Sequence, residues 1–241
     1  MKTTRTFLVI FAILMLASTG LMGSCVPLGG EKGDGNVVKE ERTVSGFTSL
    51  EVSGAFNVYL YQGKSESLTV EADKNLMQYI KTEVKGDKLE IYTVKNIQKF
   101  TKLNIYLTFE ELEMIDISGA VSITGEDMMQ FDELHLDGSG ASEVDLKMEV
   151  AILDADFSGA SEIELSGNAK TATFDISGAS EINAYDFIIS NCELEVSGAS
   201  DARIHVTENL EVEVSGAASI KYKGNPRLKS DISGAGSLKS Y

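Results

Sequence analysis

The tripeptide Ser-Gly-Ala recurs along this chain at a nearly constant spacing. It begins at Ser53, Ser118, Ser139, Ser158, Ser177, Ser197, Ser215 and Ser233. From Ser118 onward, consecutive copies lie 21, 19, 19, 20, 18 and 18 residues apart. A unit this short cannot bury an apolar face alone, so a fixed period of about 20 residues indicates units that stack on one another.

Apolar residues alternate with polar ones on both sides of each tripeptide. Phe174 and Ile176 precede Ser177, and Ile182 follows it, with polar residues between them. A period of two is that of a β-strand, so each unit is a strand, a bend and a second strand. Stacking such units at about 4.8 Å per rung places equivalent residues in columns. We therefore predict an all-β, right-handed parallel β-helix, a solenoid of ~19-residue coils with Ser-Gly-Ala corners, the hand following the usual crossover rule.

The chain divides into four parts by composition and pattern. Residues 1–24 are predicted to be a signal peptide, and residues 25–36, rich in glycine, a lipidated cysteine followed by a flexible tether. Residues 37–241 are predicted to form a single β-solenoid domain, with the repeats clearest in 114–241. The isolated copy at Ser53 indicates that the N-terminal half of this domain is a diverged β version of the same design.

The N-terminus carries the features of an export signal. Lys2 and Arg5 precede an apolar run, residues 7–16, that is too short to span a bilayer of about 30 Å as a helix. Cys25 follows a Gly-Ser pair and is the predicted site of lipid attachment, although ordinary cleavage with an incidental cysteine is the alternative. Since Cys25 is then occupied, Cys192 has no disulfide partner and is predicted to be a small buried apolar residue. We thus expect an exported protein of the cell envelope, anchored by lipid at the outer membrane.

The charge of the chain limits its partners. It has 37 acidic and 21 basic residues, a formal net charge of −16. Nucleic acids and anionic lipid surfaces require clustered Lys and Arg, so both are disfavoured as ligands. Expected partners are the membrane, through the N-terminal lipid, and a glycan or protein surface.

Two positions of the repeat are acidic in most copies. The first acidic column lies two residues before each serine and contains Glu51, Asp116, Asp137, Asp156, Asp175, Glu195, Glu213 and Asp231. The second acidic column lies four residues after the serine and contains Glu143, Glu162, Glu181 and Asp201. Three interpretations remain open: a solvated face that keeps the protein soluble, Asx-turns that fix the bend, or ligands for Ca²⁺. No other cofactor and no further metal site is expected.

No catalytic constellation is visible in the sequence. His135 and His205 are far apart in sequence, and none of the common nucleophile, metalloprotease or phosphate-loop motifs is present. We therefore expect no enzymatic activity. An aromatic set on strands of the N-terminal half forms either ordinary sheet packing or a ligand-facing patch; it consists of Tyr59, Tyr61, Tyr92 and Tyr106, alongside Phe56 and Phe109.

Several stretches of the chain resemble a known protein family. The segment 47–63, which reads FTSLEVSGAFNVYLYQG, the segment 68–73, LTVEAD, and the later Ser-Gly-Ala-Ser-Glu repeats resemble the head GIN domain named for autotransporter adhesins. The resemblance implies a β-helical lipoprotein of Bacteroidetes-type bacteria that acts as a non-enzymatic adhesion or binding module, and it supplies no catalytic residue. The alternatives are a carbohydrate-binding or carbohydrate-active protein that uses its acidic face, and an envelope structural or lipid-binding protein.

Overall fold

The computed structural model describes residues 29–241. Its strands are β1 Glu31–Lys32, β2 Val37–Arg42, β3 Ser49–Gly54, β4 Asn57–Gln62, β5 Ser67–Asp73, β6 Ile80–Lys85, β7 Lys88–Thr93, β8 Ile97–Lys99, β9 Leu103–Phe109, β10 Met114–Gly119, β11 Ser122–Gly178, β12 Glu181–Gly198, β13 Asp201–Gly216, β14 Ser219–Lys223, β15 Arg227–Gly234 and β16 Ser237–Ser240. A 3-10 turn spans Met77–Tyr79. The described residues include no helix long and apolar enough to cross a membrane.

The repeats stack as parallel strands in register. In β10 and β11, Asp116 pairs with Asp137 and Ser118 with Ser139, and the pairing of β12 with β13 aligns Ser197 with Ser215 in the same way. The Ser-Gly pair of each coil therefore lies directly above the Ser-Gly pair of the coil below. The predicted parallel β-solenoid with Ser-Gly-Ala corners is confirmed.

Each coil contains three strand segments. In the coil after Ser177, the first segment follows the corner as Glu181–Ala184, the second is residues 186–189, and the third, residues 191–198, leads to the next corner. We call the surfaces formed by stacking these segments side B, side C and side A, respectively. The first acidic column lies on side A and the second on side B.

Glycine is required at the corners for two physical reasons. Gly159 has a φ of +108°, a backbone conformation that side chains with a Cβ rarely adopt. A Cβ atom on Gly159 would also lie 2.3 Å from the carbonyl oxygen of Gly140 in the coil below. From Ser118 onward, the alanine that follows each corner glycine is exposed, so the corner depends on the glycine rather than on the whole tripeptide.

The diverged N-terminal half continues the same stack and then closes it. β3 pairs in parallel with both β10 and β7, and β7 pairs with the antiparallel strand β6 at the end of that row. On side B, β4 and β9 continue the parallel stack, and the antiparallel strands β5 and β2 follow. The switch from parallel to antiparallel pairing ends the regular repeat at this end of the solenoid.

A continuous apolar core runs along the inside of the stack. The columns predicted to point inward are buried, for example Phe174, Ile176 and Ile182. Full burial of each such side chain contributes about 1.5–3 kcal/mol before conformational entropy is subtracted. The core therefore needs neither a metal nor a disulfide.

The end of the segment 25–36, predicted to be a flexible tether, is folded in the structure. Cys25 lies outside the described residues, but residues 31–32 form β1, which pairs with β8. The buried carboxylate of Asp73 accepts hydrogen bonds from the backbone N–H of Gly35 (2.8 Å) and of Thr101 (2.6 Å). The segment from Glu31 onward is thus part of the folded domain, because its backbone groups are paired there.

Candidate functional site

The first acidic column is continuous along side A and longer than the repeats predict. Glu51 pairs in register with Asp116 on one side and with Glu90 on the other. Two residues after Glu90 the chain has Tyr92, where the repeats have the serine of Ser-Gly-Ala. The sequence pattern therefore does not reveal that Glu90 belongs to the column. At the other end, Glu195 pairs with Glu213, and Glu213 pairs with Asp231.

Burial and the stacking of like charges raise the pKa of several carboxylates in this column. Partial burial, together with the neighbouring carboxylates Asp116 and Asp156, raises the pKa of Asp137. Burial and the carboxylate of Glu51 raise the pKa of Asp116. Burial followed by Asp175 raises the pKa of Asp156. The column therefore holds its negative charges at a cost in free energy.

Cations compensate this column only at its two ends. In the N-terminal half, Lys88 pairs with Glu51 and with Glu90 (3.5 Å to the latter). In the last coil, Lys229 pairs with Glu211, which lies beside the column. In the described structure Asp116, Asp137, Asp156 and Asp175 pair with no cation.

The second acidic column is aligned on side B. Glu162 pairs in register with Glu181, and Glu181 with Asp201. Arg203 donates to the carboxylate of Glu181 (2.6 Å). Glu143 lies in the coil before Glu162, and all four carboxylates are exposed. They line a shallow corner groove together with the exposed alanines and with Ser142, Ser161 and Ser180.

These three serines and Ser200 form a buried column that the sequence interpretation missed. The buried serine of each of these coils stands three residues after the serine of the tripeptide. It points inward because strand alternation places it on the same face as Ile163 and Ile182. The Oγ atoms of Ser161 and Ser180 have no hydrogen-bond partner.

The Asx-turn interpretation of the first acidic column is wrong. Within the described chain, none of the column's carboxylates accepts a backbone N–H at the corner. At five of the corners the alanine instead donates to a glycine carbonyl of the coil below, as Ala179 does to Gly159 (2.8 Å). The positive φ of the corner glycine makes the bend. The described residues also include no group of three or more His, Cys, Asp or Glu placed to hold a metal ion, and Ca²⁺ binding stays a prediction.

An acidic groove of about 880 Å³ lies at the N-terminal end of side C. Its wall contains six carboxylates and no lysine or arginine; the carboxylates belong to Glu110, Glu111, Glu113, Asp132, Glu133 and Glu149. Leu112, Phe131 and Val150 also line the groove, but they belong to the core and are almost fully buried. The exposed wall of the groove is therefore mainly acidic.

Local geometry explains why the acidic groove forms here. The coil from Ser118 to Ser139 is the longest one, at 21 residues, and the loop after β9 lies beside it. Gln62 joins the neighbouring segments, because its side-chain amide donates to the carbonyl of Gln130 (2.9 Å) and accepts from the N–H of Gln130 (2.8 Å). The rings of Phe109 and Phe131 stack with centroids 6.0 Å apart. The only sequence signals for the groove are the long repeat and the two clusters of acidic residues.

The candidate histidines do not meet. His135 lines the acidic groove, with Nε2 3.1 Å from Glu133 and Nδ1 3.5 Å from Asp154. His205 lies in β13, four corners further along the chain. The two imidazoles therefore share no site.

The tyrosines divide into separate environments. Tyr59 and Tyr106 stack with centroids 5.1 Å apart, and the Nζ of Lys39 lies 4.7 Å from the centroid of Tyr106. The hydroxyl of Tyr106 donates to the buried carboxylate of Glu71 (2.9 Å). Tyr61 is exposed on the same strand as Tyr59. Sheet packing and a buried polar network therefore account for Tyr59 and Tyr106.

The two cysteines differ in what the structure shows. Cys192 is buried and free, as predicted. Burial in the core, followed by the charge of Glu193, raises the pKa of its thiol to about 12, which makes it unreactive at neutral pH. Cys25 lies outside the described residues, and its lipidation stays a prediction.

Several solved structures are similar in fold to this chain. A protein described as a putative adhesin from Bacteroides fragilis is 23% identical, with a TM-score of 0.82 over 88% of this chain and 100% of its own. A putative adhesin from Parabacteroides distasonis is 26% identical, with a TM-score of 0.68 over 87% and 99% of the two chains. A putative lipid binding protein from the same organism is 22% identical, with a TM-score of 0.70 over 88% and 99%.

The family assignment rests on a match over most of the domain. The curated proteins contain no significant match to this sequence. A family model covers residues 46–226, which include the β3–β4 segment and nearly all of the repeats. The chain therefore belongs to the family described as "putative auto-transporter adhesin, head GIN domain".

Proposed function

We propose that this protein is a lipid-anchored cell-envelope adhesin that binds cationic surfaces through its acidic groove, without catalysing a reaction. The observation that carries the proposal is the groove itself, with six carboxylates and no lysine or arginine in its wall. A ligand that presents lysine, arginine or other amino groups matches this charge. The family and its structural neighbours support adhesion as the class of function.

The stacked architecture suits this role physically. Each coil is held by parallel backbone hydrogen bonds to its neighbours and by the shared core, so the groove is preorganised and loses little conformational entropy on binding. The surrounding negative potential raises the rate at which a cationic partner arrives, and salt screens that effect.

The groove can be tested by a triple substitution. We expect Glu111→Gln, Glu133→Gln and Glu149→Gln together to weaken binding of the full chain to a lysine-rich peptide array, and to weaken its salt dependence. The matched control replaces three carboxylates outside the groove: Glu162→Gln, Glu181→Gln and Glu208→Gln. Equal binding by both triple variants would contradict the proposed site.

Anchoring and the absence of catalysis need separate tests. Incorporation of a labelled fatty acid in the producing bacterium should be lost in Cys25→Ala, and equal labelling of the variant and the native chain would contradict the anchor. Cleavage of any member of a polysaccharide panel, abolished in Glu162→Gln with Glu181→Gln, would instead favour a carbohydrate-active enzyme.

A further inference from the structure

The charge on side B changes sign along the stack. The outward position two residues after the second acidic column is Glu164 in one coil and Asn183 in the next. In the following three coils the same position is basic and stacks in register, and a fourth cation occupies the next outward position of its strand. We call these four residues the cationic strip: Arg203, Lys221, Lys239 and Lys223.

The cationic strip faces solvent and has few carboxylate partners. The residues that precede Arg203 and Lys221 in the sequence are buried in the core, so strand alternation directs the cations outward. Arg203 donates to Glu181 (2.6 Å), but within residues 29–241 the three lysines of the strip form no ion pair. Further coils stacked above would leave the strip exposed, because it lies on the side of the solenoid.

This strip is an exception in an acidic protein. Residues 114–200 contain 18 acidic residues against Lys147 and Lys170. Residues 217–241 contain five basic residues and one acidic residue, Asp231, which lies on side A. Because salt screens charges beyond about 8 Å at physiological ionic strength, an anion next to the strip experiences mainly its positive charge.

Neutral polar and aromatic groups border the cationic strip. Ser219 and Ser237 stack in register on the corner side, two residues before Lys221 and Lys239. On the opposite side, the Nζ of Lys223 lies 4.2 Å from the ring centroid of Tyr185. Hydroxyl, ammonium and aromatic groups therefore lie in adjacent columns, and together they can bind sugar hydroxyls, a carboxylate and the apolar face of a sugar ring.

We infer that the cationic strip binds an acidic polysaccharide whose sugar residues carry carboxylates, with the sugar chain lying along the stack. Cations in successive coils are about 4.8 Å apart, and a sugar residue in an extended chain is of similar length. Each carboxylate can then accept a charge-assisted hydrogen bond from one coil, while the serine of that coil bonds a sugar hydroxyl. This second binding surface goes beyond the proposed adhesive groove and does not rest on it.

The surroundings of the strip favour a polysaccharide over other anionic partners. An anionic membrane is a wide plane, and it would also meet the exposed carboxylates of Glu162, Glu181 and Asp201 on the same side. Duplex DNA carries one charge per about 1.7 Å of its axis, which is denser than one cation per coil. A short acidic sugar segment needs only the area of the strip itself.

Binding is measured by isothermal titration calorimetry on the full chain carrying Cys25→Ser, with tetragalacturonate as the probe. We expect Lys221→Gln with Lys239→Gln to weaken binding by about tenfold or more, because each substitution removes a charge-assisted hydrogen bond. The matched control is Lys147→Gln with Lys170→Gln, which makes the same change in net charge at two exposed lysines elsewhere. This control should bind like the native chain.

The ligand class is tested with uncharged and alternative anionic probes. The methyl ester of tetragalacturonate has the same sugars without the charge and should not bind. No binding of tetragalacturonate by the native chain, equal loss in the two lysine pairs, or equal binding of the methyl ester would overturn the inference. Tighter binding to single-stranded DNA or to phosphatidylglycerol vesicles would replace the polysaccharide by that class of partner.

The groove variant separates the two surfaces. Glu111→Gln, Glu133→Gln and Glu149→Gln together should not weaken tetragalacturonate binding, and a loss in this variant would place the sugar away from the strip. A chain that binds lysine-rich peptides but no acidic oligosaccharide would refute the strip and leave the groove standing. The reverse result would refute the groove alone.

Discussion

Replacing one carboxylate in the middle of the first acidic column should stabilise the protein. Asp137 has Asp116 and Asp156 as its neighbours in the column and is paired with no lysine or arginine in the described structure. Two unit charges one rung apart, about 4.8 Å, repel by about 0.9 kcal/mol at the dielectric constant of water. Asn has nearly the shape of Asp, so Asp137→Asn removes two such repulsions without disturbing packing.

The net gain is smaller than the sum of the two repulsions. Because His135 lies nearby and water screens a half-exposed group, we expect a gain of about 1 kcal/mol in the free energy of unfolding at low ionic strength. For a domain of this size that corresponds to a rise in Tm of roughly 2–4 °C. The gain should shrink strongly in about 1 M salt, where the Debye length of about 3 Å is shorter than one rung.

Thermal and urea unfolding of the native chain and of Asp137→Asn, each in about 10 mM and about 1 M NaCl at pH 7, measure this effect. Glu208→Gln is the control, because Glu208 is an exposed carboxylate outside both acidic columns. A loss of stability in Asp137→Asn, or a gain that is the same at both salt concentrations, would refute the electrostatic account of the column.

The remaining predictions concern the corner, the N-terminal segment and the buried thiol. Gly159→Ala should lower the free energy of unfolding by about 3 kcal/mol or more, because alanine disfavours the positive φ of this position and its Cβ would clash with a backbone oxygen. The control is Ala160→Ser, at the exposed neighbouring position, which should change the free energy of unfolding in urea little. Burial raises the pKa of Asp73, but hydrogen bonds from the backbone N–H groups of Thr101 and Gly35 and others lower it overall below 3.8. The stabilisation that this carboxylate contributes is therefore present above that value and is lost as the pH falls through the lowered pKa. Asp73→Asn should lower the Tm at pH 7 and reduce the loss of stability in acid, and an unchanged loss of stability in acid would count against this account. Cys192 should stay unmodified by a thiol reagent at pH 8 until the protein is unfolded, and rapid labelling of the folded chain would contradict its burial.

The repeat made the solenoid predictable because it reports periodicity directly. The spacing of Ser177 and Ser197 and the alternation around them specify the strands, the corner and the inward columns, and each of these is confirmed. The N-terminal half was predictable only as a diverged β region, since Glu90 joins the first acidic column through a strand that lacks the tripeptide. Pairing between β7 and β3 is a tertiary event that no local pattern in residues 88–93 encodes.

The functional surface was less predictable than the fold. The positions of the repeat predicted both acidic columns. They did not predict the acidic groove, because Glu111, Glu133 and Glu149 come from a loop and two successive coils and share no position of the repeat.

The in-register stacking of successive coils can be measured directly between residues far apart in sequence. Spin labels at Glu162→Cys and Asp201→Cys, in the Cys25→Ser chain, attach to the second acidic column two rungs apart, with Cα atoms about 10 Å from each other although 39 residues separate them. Strong dipolar broadening in the electron paramagnetic resonance spectrum, lost on unfolding, is the expected result. A spectrum of the folded protein equal to the sum of the two singly labelled chains would contradict the stacked solenoid and, with it, both acidic columns.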